Sequence, residues 1–312
     1  MQLMKPQMEN HDDAFTLSID WEEFGQLLGR DHTGVVMPAV PKTIDRQTDI
    51  MLSLLNETGK KATFFILGML AQFRPDLVKK IAAEGHEIGM HGQHHIRMNT
   101  LSYKEAYNDL SDSYKLVTDI IGTPVYGYRA PYFSVNETNL YVLEILSELG
   151  LIYDSSIFPV KLKNYGIADF PPEDALYRLP NGKQIVELPL TITQWRNKRL
   201  PVAGGGYMRA FPQFILKRIF KKLDDEGRNV MLYMHPYEFD DRRISCSTHY
   251  PPGKGYSKAK SFLINIRWNL FRGTIYNKIK HLLKEYHFVT CLKKAQYVKD
   301  NSHSSAILGC PQ

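Results

Sequence analysis

The sequence predicts an α/β fold built on a parallel sheet that is either open or closed into a barrel. Between residues 15 and 154, strand-like apolar runs alternate with amphipathic helical segments for five rounds. Parallel strands need long crossover connections, which helices usually supply, and these crossovers are nearly always right-handed. The alternation therefore favours a parallel sheet covered by helices, and a chain of 312 residues is long enough for one such domain.

The first half of the chain contains five apolar runs with β-strand character, at residues 15–20, 62–67, 87–91, 125–131 and 151–154. The run at 62–67 is continuously apolar, which is typical of a strand buried on both faces. Segments with helical spacing lie between and before these runs, at residues 42–55, 75–84, 102–121 and 136–149. Ser102 and Glu105 stand at the two positions of a capping box, so a helix is expected to begin there.

The second half departs from this rhythm once and then resumes it. Asn181 and Gly182 separate two apolar runs and predict a β-hairpin over residues 177–189. Later segments predict helix 212–226, strand 229–235, helix 261–285 with an interruption at Gly273, and strand 287–292. We expect a flexible N-terminus at 1–13, a single domain at 14–298 with its C-terminal extension at 241–298, and a disordered tail at 299–312.

Cysteine content and hydropathy bear on the compartment. Cys246, Cys291 and Cys310 are scattered and odd in number, which argues against a disulfide framework and for a reducing environment. The first thirteen residues lack an apolar core, and no run approaches the length of a membrane span. We therefore expect a cytoplasmic location without a signal peptide or transmembrane segment, with peripheral membrane attachment as the alternative.

An excess of basic residues gives the chain a formal net charge of +6, and much of it lies between residues 254 and 294. This segment could favour an anionic partner such as an acidic glycan or a nucleotide-linked sugar. A solvated basic helix face is the simpler interpretation. The aromatic residues interleaved through 262–286 could also pack on a partner. We expect no nucleic-acid partner, and the sequence does not indicate an oligomeric state.

A histidine pair at the end of the third strand is the clearest candidate site. His91 and His95 are four residues apart, so both rings would reach one ion if the loop turned helically. Asp20 and Glu22, at the end of the first strand, share a face of an extended chain and could supply a third ligand. Two histidines and one carboxylate leave an open position, which is the composition of a hydrolytic metal centre. A purely structural histidine pair is the alternative.

Polar residues stand at the ends of several predicted strands, namely Asp20, His91, Arg129, Asp154 and His235. The carboxyl ends of parallel barrel strands meet at one mouth, where catalytic groups gather. We therefore expect these five side chains to lie close together. For Asp20 and Asp154, the capping of a turn is the alternative.

In their order and spacing, these motifs resemble those of the polysaccharide deacetylases of the NodB-homology type, carbohydrate esterase family 4. The shared segments are Ser18-Ile-Asp-Trp-Glu22, His91-Gly-Gln-His-His95, Arg129-Ala-Pro-Tyr132, Asp154-Ser-Ser-Ile-Phe158 and Leu232-Tyr-Met-His235. The resemblance covers residues 15–292. Within the family, the chain resembles the bacterial exopolysaccharide-locus branch, which has its own C-terminal extension. It implies a distorted (β/α) barrel of about seven parallel strands with an inserted β-hairpin and a helical C-terminal extension. It also implies a divalent metal, usually Zn²⁺, and hydrolysis of N-acetyl groups on sugars.

The resemblance assigns the metal ligands and the general base. Asp20 matches the base that takes a proton from the attacking water, and His91 and His95 match two ligands. Many family members carry the remaining ligand, an aspartate, where Trp21 stands in this chain. Glu22 fits a variant of the family in which one residue separates the two carboxylates, and Asp20 itself is the alternative ligand.

The resemblance also assigns the groups around the base. Arg129 matches the residue that orients Asp20, and the backbone N–H of Tyr132 matches a donor to the tetrahedral oxyanion. His235 matches the general acid that protonates the departing amine, and Asp154 matches the carboxylate that holds it. Base and acid would then lie on opposite sides of the reacting group.

Four aromatic residues are candidates for substrate binding, namely Trp21, Phe158, Trp195 and Tyr207. Phe158 stands where family members often carry a tryptophan, whereas core packing is an equal alternative for the other three. Glu238 is interpreted as a rim residue. Gly204-Gly-Gly206 lacks the Lys-Ser/Thr of a phosphate loop, which favours a groove wall or a tight turn.

The sequence therefore predicts a metal-dependent N-deacetylase that acts on N-acetylhexosamine units of a bacterial polysaccharide, glycolipid or precursor. Two alternatives stay open. One is hydrolysis of another linear or cyclic amide at the same barrel site, and the other is a catalytically inactive glycan-binding protein.

Overall fold

The computed structural model describes residues 15–26, 43–160, 165–196, 198–246, 249, 256–302 and 306–308. The predicted flexible N-terminus at 1–13 and half of the tail at 299–312 lie outside this range. None of the described helices is both long and apolar enough to span a bilayer.

A curled sheet of ten strands forms the centre of the fold and confirms the predicted α/β class. Its strands are β1 (Phe15–Trp21), β2 (Thr63–Ile66), β3 (Glu87–Met90), β4 (Gly127–Tyr128), β5 (Tyr153–Asp154), β6 (Ala175–Arg178), β7 (Gln184–Glu187), β10 (Met231–Met234), β11 (Phe288–Val289) and β12 (Ala306–Ile307). Seven of them run parallel in the order β10-β1-β2-β3-β4-β5-β7. The predicted hairpin is formed by β6 and β7, which pair antiparallel.

Helices cover the sheet, with the bounds α1 (Thr43–Thr58), α2 (Gly68–Phe73), α3 (Pro75–Ala83), α4 (Tyr103–Ile121), α5 (Tyr141–Glu148), α6 (Gly205–Ala210), α7 (Gln213–Asp225), α8 (Pro236–Phe239), α9 (Lys258–Asn269), α10 (Ile275–Glu285) and α11 (Cys291–Asn301). The capping box predicted for α4 is present, because Ser102 accepts from the Glu105 N–H while Glu105 accepts from the Ser102 N–H. Gly122 ends α4 at φ +73°, a left-handed conformation that glycine adopts without steric cost.

The sheet curls until its two ends are joined by side-chain and backbone contacts, which gives a distorted barrel. Beyond β7, the Thr191 hydroxyl accepts from the Met231 N–H at 2.6 Å. The Tyr233 N–H donates to the Ala203 carbonyl at 3.0 Å. A separate two-stranded sheet, β8 (Ile192–Trp195) and β9 (Lys198–Pro201), lies between these two points in the chain.

The sheet order changes one expectation about the site. Asp20 and His235 follow positions on β1 and β10 that are direct neighbours, with Ile19 in register with Met234. Base and acid candidates therefore stand on neighbouring strands, whereas their separation along the chain suggested distant ones; their placement on opposite sides of the reacting group stays a prediction. Strand adjacency is set by long-range pairing, which chain separation does not reveal.

Several boundaries also differ from the prediction. The strand expected at 287–292 shortens to Phe288–Val289, and helix α11 begins at Cys291. The disordered tail expected from residue 299 is wrong for 299–302 and 306–308, because α11 continues to Asn301 and β12 pairs in parallel with β6. Helix α11 is mostly polar, but one of its faces packs against the rest of the fold, with Cys291 and Ala295 buried. Helices α2, α6 and α8 and the β8–β9 hairpin are additional elements.

Candidate metal centre and catalytic cleft

Three buried side chains with metal-ligand atoms converge at the carboxyl ends of β1 and β3. One ligand atom each from Glu22, His91 and His95 lies within 4.8 Å of the others. The Glu22 carboxylate contacts Nε2 of His95, and its Oε2 lies 3.9 Å from Nε2 of His91. The structure thus brings together the three residues that the sequence proposed as ligands.

The backbone that carries the histidines is a loop rather than the helical turn that the spacing suggested. Gly92 and His95 have φ values of +75° and +53°, which reverse the chain and return the His95 ring to the face of His91. The Asp109 carboxylate holds the loop, because it accepts from the N–H groups of Gln93 and His94 at 2.9 and 3.2 Å. Tertiary hydrogen bonds therefore place the second ring.

The hydrogen bonds of these groups fit a bound cation. Nδ1 of His91 lies 2.8 Å from the Arg129 carbonyl oxygen, which can only accept, so Nδ1 carries the proton and Nε2 presents its lone pair. Oε2 of Glu22 is buried between the two rings, in contact with Nε2 of His95 and 3.9 Å from Nε2 of His91. A buried anionic oxygen that faces imidazole lone pairs needs a positive charge between them.

The protonation states also suit a metal. Burial would raise the pKa of Glu22, but the His95 ring, with smaller contributions from His235 and His91, outweighs it and lowers that pKa to about 2. Burial lowers the pKa of His91 to about 4. Near neutral pH the cluster therefore offers one carboxylate anion and a neutral imidazole at His91, the forms that bind Zn²⁺ or a similar divalent ion.

Asp20 stands beside this cluster and is held by a fully buried arginine. Nη1 of Arg129 donates to Asp20 Oδ1 at 2.8 Å and to the Ser18 hydroxyl at 2.7 Å. Its Nε and Nη2 donate to the carbonyl and hydroxyl of Ser155 at 3.0 and 2.9 Å. The second Asp20 oxygen, Oδ2, lies 3.9 Å from Nε2 of His235, so the carboxylate is oriented by one oxygen and faces the cleft with the other.

His235 is held by Glu238, which the sequence interpretation placed at the rim. Oε2 of Glu238 accepts from the His235 backbone N–H at 3.0 Å and lies 3.3 Å from ring Nδ1. Burial would lower the pKa of His235, but the hydrogen bond and charge of Glu238, followed by Glu22 and Asp20, raise it to about 9. The ring is therefore an imidazolium near neutral pH and can donate a proton.

A capping-box pattern in the sequence could have identified Glu238. His235 occupies the N-cap of α8, Pro236 follows it, and Glu238 stands at the third helical position, where a glutamate reaches back to the N-cap N–H. A Cβ at Gly205 would overlap the Glu238 carboxylate. This close approach explains Gly205, and the predicted groove wall is confirmed because Gly205 and Gly206 line the cleft at the start of helix α6.

The assignment of Asp154 as the partner of His235 is wrong. Asp154 accepts from the N–H and hydroxyl of Ser156 at 3.1 and 2.6 Å and lies beside Glu187 of the neighbouring strand β7. Burial raises the pKa of Asp154, and burial together with the charge of Asp154 raises that of Glu187 far above its usual range. The side chain caps its own turn inside the barrel wall, and four strands lie between β5 and β10 in the sheet order.

A cleft of about 730 Å³ opens above these groups. Its lining includes both catalytic candidates, the three proposed ligands and many aromatic rings, among them Tyr132, Tyr165, Tyr207, Tyr233, Tyr237, Trp268 and Phe271. Tyr132 has φ +58°, and its ring lies 4.6 Å from that of His95. Tyr207 thus borders the cleft as proposed, and Tyr132 lies beside the metal candidates.

The other three proposed substrate-binding residues are placed elsewhere. Trp21 is fully buried and donates from Nε1 to the Thr48 hydroxyl at 3.0 Å, so it belongs to the core. Phe158 is buried against Phe133 in a second hydrophobic cluster. Trp195 is 62% exposed on the β8–β9 hairpin and is not part of the cleft lining. An aromatic side chain packs equally well in a core or on a sugar, so residue type alone could not separate these cases.

Two family models match consecutive parts of the chain. Residues 40–153 match the polysaccharide deacetylase family, and residues 155–296 match a domain of unknown function, DUF3473. Asp20 and Glu22 precede both segments, the two ligand histidines lie in the first, and His235 with Glu238 lies in the second. The candidate site is therefore assembled from all three parts of the chain.

Curated relatives match about a third of the chain. The chain is 35% identical over 101 residues to the peptidoglycan-N-acetylglucosamine deacetylase PgdA of Listeria monocytogenes, covering 32% of this chain and 20% of that protein. It is 35% identical over 94 residues to a peptidoglycan-N-acetylglucosamine deacetylase of Bacillus cereus, covering 30% of this chain and 34% of that one. The chain thus spans about a fifth to a third of the length of these relatives.

Solved structures extend the likeness to the whole fold. A Mycobacterium smegmatis protein described as a polysaccharide deacetylase superposes with a TM-score of 0.61 at 17% identity, covering 96% of both chains. At this identity the likeness establishes the barrel fold, which agrees with the resemblance drawn from the motifs.

Proposed function

Because residues 40–153 match the polysaccharide deacetylase family, we propose that the chain is a metal-dependent sugar N-deacetylase of the NodB-homology type. Its substrates would be N-acetylhexosamine units of a bacterial polysaccharide, glycolipid or precursor. One observation carries the proposal: Asp20, held by Arg129, and His235, held by Glu238, border the same volume as the cluster of Glu22, His91 and His95.

The residues fit a divalent cation, for which Zn²⁺ is our choice because two imidazoles and one carboxylate form a common catalytic zinc site. When bound, the ion would supply Lewis-acid polarisation of the amide carbonyl and acidify water. Amide hydrolysis needs both, since an amide is a weak electrophile with a poor leaving group. Glu22, His91 and His95 would hold the ion and leave a position open toward the cleft.

Asp20 and His235 divide the proton transfers. Arg129 donates a hydrogen bond to one oxygen of Asp20 and orients the carboxylate, so the other oxygen can accept a proton from the attacking water. His235 carries a proton near neutral pH, because Glu238 raises its pKa to about 9, and donates it from Nε2 to the departing amine. The backbone N–H of Tyr132 would donate to the developing oxyanion.

The cleft and the relatives support a sugar substrate. A volume of about 730 Å³ is within the range of small-molecule sites and admits more than one sugar ring. Aromatic side chains such as Tyr207 present flat apolar faces to the C–H faces of a sugar. The curated relatives from Listeria monocytogenes and Bacillus cereus are named as deacetylases of peptidoglycan N-acetylglucosamine.

Acetate release tests the proposal. The zinc-loaded protein is incubated with N-acetylglucosamine oligomers and with peptidoglycan fragments, and free acetate is measured with and without a chelator. We expect acetate release that the chelator abolishes and added Zn²⁺ restores, and no release by Asp20→Asn. Turnover of small linear or cyclic amides without release from any N-acetylated glycan would contradict the sugar assignment. Glycan binding without any turnover would contradict the enzyme assignment.

A further inference from the structure

Helix α9 exposes an unusual concentration of large apolar side chains. Among the described residues, five of the eleven exposed large hydrophobic side chains fall within ten consecutive positions, namely Phe262, Leu263, Ile266, Leu270 and Phe271. Their exposed fractions range from 45% to 65%. We call these five residues the α9 patch. Contiguous apolar surface of this kind usually marks an interaction site.

The inner face of α9 already anchors the helix, so the patch is not required for that contact. Ile264 and Trp268 pack against the cluster that contains Phe24 and Tyr237. On the same side, the Asn265 side chain accepts from the Cys246 N–H at 2.8 Å. A helix that is apolar on both faces is normally buried between two layers. The barrel supplies one layer, and the outer face of α9 needs another.

The sequence segment that contains the α9 patch carries charged side chains of one sign. From Arg242 to Lys284 the sequence contains ten Lys and Arg residues and neither Asp nor Glu. Lys258, Lys260 and Arg267 are exposed on α9 itself, interleaved with the apolar residues. The helix that carries most of the α9 patch therefore also carries three exposed basic side chains.

We propose that the α9 patch docks on the surface of an anionic lipid bilayer. The apolar side chains insert at the boundary between headgroups and acyl chains, and Lys258, Lys260 and Arg267 contact lipid phosphates. A polyanionic glycan or a nucleic acid would match the charge but not the aliphatic residues. Leu263 and Ile266 gain nothing from phosphate or hydroxyl groups, whereas a hydrocarbon phase takes them out of water.

The patch lies at the edge of the cleft. Leu270 and Phe271 belong to the patch and also line the cleft, as does Arg267. A docked membrane would therefore border the cleft opening. This consequence rests on the proposed deacetylase function, whereas the docking itself does not, and the two are tested separately.

Vesicle co-sedimentation tests the docking without any substrate. The full chain is mixed with vesicles of phosphatidylcholine alone, or of phosphatidylcholine with phosphatidylglycerol, and the bound fraction is measured at low and physiological salt. We expect binding to the anionic vesicles that weakens with salt. Phe262→Ser combined with Leu263→Ser should reduce partitioning by about tenfold or more. Phe73→Ser, which changes a side chain of similar exposure on α2, should bind like the wild type.

Substitution of two lysines gives a second, independent test of the docking. Lys258→Gln with Lys260→Gln should weaken binding to anionic vesicles by several-fold, whereas Lys79→Gln with Lys104→Gln, which removes two exposed lysines elsewhere, should not. Acetate release from soluble oligomers and circular dichroism show that each variant is folded.

Three outcomes would overturn the docking proposal: no binding of the wild type to anionic vesicles, equal binding by the patch and control variants, or loss of vesicle binding in the charge variant while the apolar variant binds like the wild type. If the wild type binds the vesicles but releases no acetate, only the proposed reaction is contradicted.

Discussion

At the start of helix α8, one carboxylate oxygen of Glu238 contacts both the backbone N–H and the ring of His235. The ring is thereby fixed in orientation and held in its charged form. The carboxylate is itself buried and lies 4.0 Å from Nε of Arg209. Glu238 is therefore a positioning residue for the proposed proton donor, a role that the sequence resemblance had given to Asp154.

Replacement of the Glu238 charge should move the pH profile. Glu238→Gln keeps an acceptor for the His235 N–H but removes the negative charge that raises the ring's pKa. The imidazolium would then be lost at lower pH, so the alkaline limb of the kcat profile should shift downward, and kcat near neutral pH should fall by about 10- to 100-fold. The measurement is acetate release from pH 5 to 10.

Asp154→Asn is the matched control for this prediction. It changes the carboxylate that the sequence alone placed behind His235, and we expect the alkaline limb to remain where it is in the wild type. A shift with Asp154→Asn and none with Glu238→Gln would reverse the structural assignment.

Metal content should separate the roles of the two neighbouring carboxylates. Glu22→Gln removes the only anionic member of the proposed ligand cluster, so we expect zinc affinity to fall by about 100-fold or more in a chelator competition. Asp20→Asn should retain the metal and lose turnover, because Asp20 is hydrogen-bonded to Arg129 rather than to the cluster. Zinc loss in Asp20→Asn with retention in Glu22→Gln would identify Asp20 as the ligand.

Substitutions of Arg129 and Asp20, which form a buried ion pair, should have non-additive effects on the free energy of unfolding. Arg129→Met removes the counter-charge from a nearly inaccessible carboxylate and leaves Ser155 without its guanidinium donors, which should cost about 3–5 kcal/mol in the free energy of unfolding. Combining Arg129→Met with Asp20→Asn should recover part of this loss, since the uncompensated charge is gone. Urea denaturation of the four proteins gives the coupling energy. Strict additivity of the two changes would show that the ion pair does not act as a unit.

The carboxyl pair of Asp154 and Glu187 should make stability fall with rising pH. Burial and the charge of Asp154 raise the pKa of Glu187 well above its ordinary 4.5, so the folded state retains a proton that the unfolded state releases. Stability from this group is fully present below about pH 4.5 and decreases by about 1.4 kcal/mol per pH unit up to the raised pKa.

Glu187→Gln should remove this slope, because an amide stays neutral and can still accept from the Ile157 N–H. We expect the variant to be more stable than the wild type at pH 8 and similar to it at pH 5, as measured by thermal unfolding. Parallel pH profiles for the two proteins would contradict the retention of a proton by Glu187 in the folded state.

Two exposed or partly exposed aromatic residues should differ in their effect on substrate binding. Tyr207→Ala removes a ring from the cleft wall and should raise KM for oligosaccharides by about three- to tenfold. Trp195→Ala changes a ring on the β8–β9 hairpin outside that lining and should leave KM unchanged. A larger effect for Trp195 would mean that long substrates extend beyond the cleft.

Patterns local in the sequence predicted most of the framework. Periodicity located the main helices and the parallel strands, and the residues Ser102 and Glu105 marked the start of α4. The His91 and His95 spacing, with carboxylates at the end of β1, indicated the cluster before any contact was known. Glu238 was missed because its signal, a glutamate three residues after His235, is also typical of an ordinary helix start.

The sequence by itself determined which residue types stand at the strand ends, because hydrophobic period and turn residues act over a few positions and leave a readable pattern. Only the tertiary structure decided which of those side chains meet. It placed β10 beside β1, so that His235 faces Asp20 and is hydrogen-bonded to Glu238. It also buried Trp21 and Phe158 in the core. Such choices depend on strand order and packing between distant segments, whose free energies are absent from any local stretch of the chain.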